Sequence, residues 1–237
     1  MYDTAGDVIN TVAAEVGLTP VTDPFASTDP AFIQLATLCT SAGRELLGLH
    51  LWQRLLRTHT FTTTVSTTEP LPAGFVSMID QTYWDQTNQF PLAGPLSPQT
   101  WAYVKYGLLA SGTVYVSFRV AEGVIQMLPD PMTPGLTISF EYVSDNWVLE
   151  ADGVTYDNEV QASDETILFD QLLITKFLKL RFLEAKGFDT SAAMDQFKTA
   201  FMQVTGRDVS APVLSMARRP SFPYLGLRNV PETGYGS

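Results

Sequence analysis

Charged residues make up only 16% of this 237-residue chain, against about 25% in typical soluble domains. So little charge leaves two readings of the surface. Part of it is buried against other subunits, or it is covered by neutral threonine and glutamine. Basic residues are the scarcer sign, 14 Lys and Arg against 25 Asp and Glu, for a net charge of −11. Gripping nucleic acid requires clustered Lys and Arg to neutralise phosphates, and this composition excludes it. An acidic wall past which DNA slides remains compatible.

Cysteine and histidine are nearly missing. The single Cys39 excludes an intramolecular disulfide framework and fits a reducing compartment. With His50 and His59 it makes three potential zinc ligands, too few and too poorly spaced for a site. On one continuous helix Cys39 and His50 would stand about 16 Å apart, too far for a nucleophile–base dyad. There is no glycine-rich phosphate loop followed by lysine and no G-x-S-x-G elbow. No cofactor, no metal and no enzymatic activity are therefore expected. Apolar runs are short as well: none approaches the ~18 residues of a membrane span. Met1-Tyr2-Asp3 also lacks the basic start of a signal peptide, so no membrane insertion is expected.

What is present is periodic. Val8, Val12 and Val16, with Ile9 alongside, form one apolar stripe of a helix over Asp7–Val16, closed by Gly17. Asp29-Pro30 is a helix start, an N-cap side chain followed by a proline whose missing N–H costs nothing there. The spacing of Phe32, Leu35, Cys39, Ala42, Leu46 and Leu49 predicts that this second helix runs to about Arg57. From Thr58 to Thr68 threonine dominates, favouring extended structure. Gly74–Trp84, Thr113–Val120, Val124–Leu128 and Leu136–Val143 read as further strands, with Ala121-Glu122-Gly123 as a hairpin turn. Ser163 or Asp164 is placed to cap a helix over Thr166–Lys186, ended by Gly187. A last helix from Asp189 or Thr190 carries Ala193, Phe197, Phe201 and Val204, and Gly206 is expected to end it.

The expected fold class is α+β. A discontinuous helical bundle body (1–66 and 160–206) carries an inserted antiparallel β-sandwich or barrel-like block (67–159) and an extended C-terminal arm (207–237). The arm mixes apolar anchors with Arg218, Arg219 and Arg228, so it is basic on an acidic protein, suiting a segment laid on a partner. An arm wrapping its own domain fits the same features.

Several segments together resemble a known family. They are Gly6–Leu18, the Pro-Leu-Pro-Ala-Gly-Phe entry at Pro70–Phe75, Phe140-Glu141-Tyr142-Val143, Asn146-Trp147, and the helix pair around Glu184-Ala185-Lys186-Gly187-Phe188. In that order, around a β insertion, they resemble the head-to-tail adaptor (connector) proteins of tailed bacteriophages, including the tail tubular protein A type. The likeness covers most of the chain and departs at Gly74, where an aspartate is usual. It implies a structural virion protein, not an enzyme. Such a protein is a homo-oligomer, commonly a dodecameric ring, assembled in the host cytoplasm and sited in the virion neck. The ring would join the portal protein to a downstream tail or nozzle protein. Double-stranded DNA would pass through without sequence-specific binding.

On that reading Arg218, Arg219, Phe222, Tyr224, Leu227 and Arg228 anchor the arm on the portal. Leu172, Leu173, Phe177 and Leu180 are shared between the subunit core and its neighbours. Asp157, Glu159, Asp164 and Glu165 face the channel, or an outer solvated face. The alternative is a β-sandwich binding module that recognises carbohydrate or another receptor through Trp84, Trp101 and Trp147.

Overall fold

The computed structural model describes residues 3–107 and 116–208. Helix α1 (Ala5–Glu15) starts at Thr4, whose hydroxyl accepts the Asp7 N–H. The N–H groups of Ala5 and Gly6 donate to the carbonyls of Glu165 (2.8 Å) and Ser163 (2.9 Å). A distant loop thus satisfies donors that a buried helix start would leave orphaned. Helix α2 (Pro30–Leu49) starts as the sequence predicts, with the Asp29 carboxylate accepting the Ala31 N–H at 2.8 Å and proline in the first turn. It ends well before Arg57. His50 turns extended, and Trp52 folds back to donate its indole N–H to the Leu46 carbonyl at 2.8 Å, satisfying an end the helix would leave open.

The chain then crosses into β structure. Strands β1 (Leu56–Thr62), β2 (Thr68–Pro70), β3 (Phe75–Met78), β4 (Trp84–Asp85) and β5 (Phe90–Pro91) precede a short helix, α3 (Pro98–Tyr106). After it come β6 (Ser117–Ala121), β7 (Val124–Leu128) and β8 (Thr137–Ser144). The long strand β8 lies at the middle of the largest sheet, with β1 on one side and β3 and β4 on the other; β5 extends β4. A second sheet runs β2-β7-β6. Glu122 and Gly123, both with positive φ, make the two-residue β6–β7 turn that the sequence predicts.

Ile138, Phe140 and Tyr142 from the first sheet, and Phe118, Ile125 and Met127 from the second, share one apolar core with Tyr83 and Met132. All strand pairing within the sheets is antiparallel, and no barrel closes among the described residues.

From Trp147 the chain belongs to the helical core. Strands β9 (Val148–Leu149), β10 (Tyr156–Asp157) and β11 (Thr166–Ile167) form a small third sheet. Thr166 therefore pairs with Leu149 instead of opening a helix, and the Ser163 and Glu165 carbonyls are committed to α1. Helix α4 (Gln171–Lys186) begins later than expected, capped by Asp170, whose carboxylate accepts the Leu172 N–H at 3.0 Å. Gly187 closes it in the left-handed conformation at φ +72°. Helix α5 (Ser191–Asp208) runs through Gly206. Helix α4 is central, packing against α1, α2 and α5. Phe177 of α4 stacks on Phe197 of α5 with ring centroids 4.6 Å apart. The chain is thus a mixed α/β protein whose described residues form five α-helices and antiparallel sheets around two apolar cores.

Trp147, three residues after β8, anchors the returning chain in the helical core. Its ring is fully buried in the helical core, stacked on Phe169 (5.6 Å), with its indole N–H donated to the Asn158 carbonyl at 3.0 Å. On its other side lies the Gly43 backbone, where a Cβ would collide with the indole. Only glycine lets α2 approach so closely.

Candidate interaction surfaces

The residues with reactive side chains are occupied structurally. Cys39 is buried on α2, and burial pushes its thiol pKa up to about 12, so it stays protonated and inert. His59 lies between Phe61 (5.8 Å) and Phe140 (5.4 Å). His50 stands edge-on to Trp52 (4.8 Å), its Nε2 3.3 Å from the Asp208 carboxylate. Among the described residues no three His, Cys, Asp or Glu side chains are grouped to hold a metal ion. No described helix is long and apolar enough to cross a membrane.

The four acids expected to line a channel have different environments. Asp164 is exposed. Glu159 pairs with Arg44 of α2 at 3.1 Å. Asp157 accepts from the Asn158 N–H and the Gln161 side chain. Glu165 is buried, and its carboxylate accepts the Gln161 N–H at 2.8 Å, so it ties a loop within the chain. The expected packing arc on α4 lies mostly inside the single chain. Leu173, Phe177 and Leu180 are spent on the chain's own core, because α4 is enclosed by three helices. Leu172 alone is open, at 45% exposure. Arg218, Arg219, Phe222, Tyr224, Leu227 and Arg228 lie outside the described residues.

The tryptophans form no shared platform. Trp147 is sealed in the helical core, and Trp101 is 4% exposed on α3, beneath the Arg119 guanidinium at 4.8 Å. A ring enclosed in this way has no free face on which to stack a ligand.

Among the described residues, two open faces of the helical body carry exposed apolar side chains. Residues 30–43 of α2 contain no charged side chain, yet Ile33 is 54% exposed and Thr37 and Ser41 are also open. A shallow groove runs beside Ala36, Thr37, Thr40 and Ser41 and reaches the charged Arg44 and Glu45 at its far end. The second face lies across α4 and α5. Leu172, Lys176, Thr199, Ala200 and Gln203 line a groove beside Met202, which is 73% exposed. The absence of charge over 30–43 is visible in the sequence; that this stretch is left open on one side is not. Sequence reasoning also missed α3, whose Tyr103 and Tyr106 are exposed. No protein-family model matches the chain, and no curated protein matches it significantly.

Proposed function

We propose that the chain is a structural virion subunit, a ring-forming head-to-tail adaptor between portal and tail. The observation that carries this reading is the open, uncharged stretch of α2 over residues 30–43, where Ile33, Thr37 and Ser41 are exposed, on a protein of net charge −11. A solvated helix face normally carries ions, whereas uncharged, small-residue faces suit close contact with another subunit. The groove of α4 and α5 offers a different patch on the same body. A contact between two unlike patches is heterologous, and such contacts build rings when the rotation between copies closes. The helices would form the ring body, the β structure would project as the inserted block that meets the next tail component, and the arm would engage the portal. Asp164 would face passing DNA without holding it.

Native mass measurement tests this. The full-length protein should form a closed oligomer of fixed stoichiometry, and Thr37→Glu should reduce it to monomers of unchanged fold. A wild-type chain that remains monomeric at high concentration and with isolated portal rings would refute the reading.

A further inference from the structure

Strand β1 is an edge with nothing beyond it among the described residues. Its pairing sets which backbone groups are free. The Thr63 N–H donates to the Leu136 carbonyl at 2.8 Å, so the odd-numbered residues of β1 bond toward β8. The alternation of an antiparallel ladder then turns the N–H and C=O groups of Thr58, Thr60 and Thr62 outward. A seven-residue edge with open donors and acceptors is a template for another strand. The core beside it is also incompletely covered. Phe61 is only half-buried, and the His59 Nε2 atom is buried with no hydrogen-bond partner among the described residues.

The C-terminal end of α5 sits at the start of this strand. The Asp208 carboxylate accepts the Gln53 N–H at 3.0 Å, three residues before β1 begins at Leu56. An acid at a helix C-terminus is disfavoured by the helix dipole, and here His50 and the Gln53 N–H hold it. The last described residue, Asp208, therefore stands at the foot of the open edge. In residues 209–237 the first proline-free run as long as β1 is Val213–Arg219, between Pro212 and Pro220; a second, Tyr224–Val230, lies farther from α5. In an extended run Leu214 and Met216 fall on one face, and Ser215 and Ala217 fall on the other.

We propose that Val213–Arg219 adds a strand to the open edge of β1 in the same chain. It runs parallel to β1, with Leu214 and Met216 covering His59 and Phe61 and Ser215 continuing the threonine face. This fixes the root of the arm and leaves Phe222, Tyr224, Leu227 and Arg228 beyond Pro220 to reach a partner. The assignment does not depend on what that partner is.

Residue-resolved amide exchange on the full-length protein tests it. The Thr58, Thr60 and Thr62 amides are expected to exchange about tenfold or more slowly than open-loop amides, independently of protein concentration. One of two consecutive strand residues must donate to the ladder, so Ser215→Pro or Met216→Pro should abolish that protection. Gly226→Pro should leave it intact. The proposal is overturned if the three amides exchange freely in the full chain. Protection that survives both proline variants also overturns it, because another segment then covers the edge. Protection that grows with concentration overturns it too, because the strand then comes from a neighbouring copy.

Discussion

An alanine at position 43 would place its Cβ 2.5 Å from the Cε2 atom of Trp147, and closer still to Cζ2 and Cη2. The indole has little freedom to retreat. Phe169 stacks against it, and the ring N–H is tied to the Asn158 carbonyl. Overpacking a rigid site costs about 1–3 kcal/mol, and disturbing the indole hydrogen bond adds about 1 kcal/mol. Replacing glycine by alanine inside a helix returns about 1 kcal/mol through backbone entropy. The net expectation for Gly43→Ala is a loss of about 1–3 kcal/mol, or roughly 2–12 °C in Tm for a chain of this size.

Gly48 on the same helix is the internal control, since a Cβ there meets nothing within 4 Å. Gly48→Ala should raise Tm slightly. Chemical denaturation and calorimetry of both variants give the comparison. In a double-mutant cycle, Trp147→Phe should cost less in the Gly43→Ala background than alone, because the smaller ring relieves the clash. If Gly43→Ala is as stable as Gly48→Ala, the notch on α2 is not where Trp147 sits.

Glu15 bridges Lys176 (2.8 Å) and Lys179 (2.9 Å) of α4. Burial disfavours its charge, but the two lysines outweigh that and hold its carboxyl pKa below the ordinary value. Its contribution is therefore present above the ordinary carboxylate value of 4.5 and is lost as pH falls through the lower folded value. Glu15→Gln should cost about 1 kcal/mol at pH 7, and thermal melts should show that deficit vanishing in acid. Ile33→Glu should weaken self-association in sedimentation while leaving Tm within about 2 °C, since surface substitutions rarely exceed ±0.5 kcal/mol. Asp208→Ala should fray the last turn of α5, costing about 1 kcal/mol and speeding proteolysis after Arg207.

Local signals told the truth where local chemistry decided the outcome. Asp29-Pro30, Gly187 and Glu122-Gly123 mark their boundaries because a cap or a positive φ is needed within a few residues. The failures share a cause in distant partners. Ser163 and Asp164 suit a helix cap by type, but the Ser163 carbonyl is taken by α1, more than a hundred residues away. Residues 50–57 keep a helical texture, yet Trp52 and the pairing of Leu56 with Val143 pull them out of α2. Helix α3 has a good start in Ser97, which accepts the Thr100 N–H, but buries only Trp101, so no apolar stripe announces it. The candidate interface shows the same division. The uncharged run of α2 is written in the sequence, whereas the enclosure of Leu173, Phe177 and Leu180 follows only from helices assembled around α4.

The chain enters the β structure at Leu56 and leaves it at Ser144, and Leu56 is paired with Val143 across the β1–β8 ladder. Facing residues in such a pair lie about 5 Å apart. The two ends of the whole excursion are therefore neighbours, and the chain passes into and out of it through a two-stranded neck. Bodies joined in this way are separable in engineering terms. A tight turn linking residue 55 to residue 145 could close the gap with the helical core left whole. A different block could be grafted there without moving α1, α2, α4 or α5.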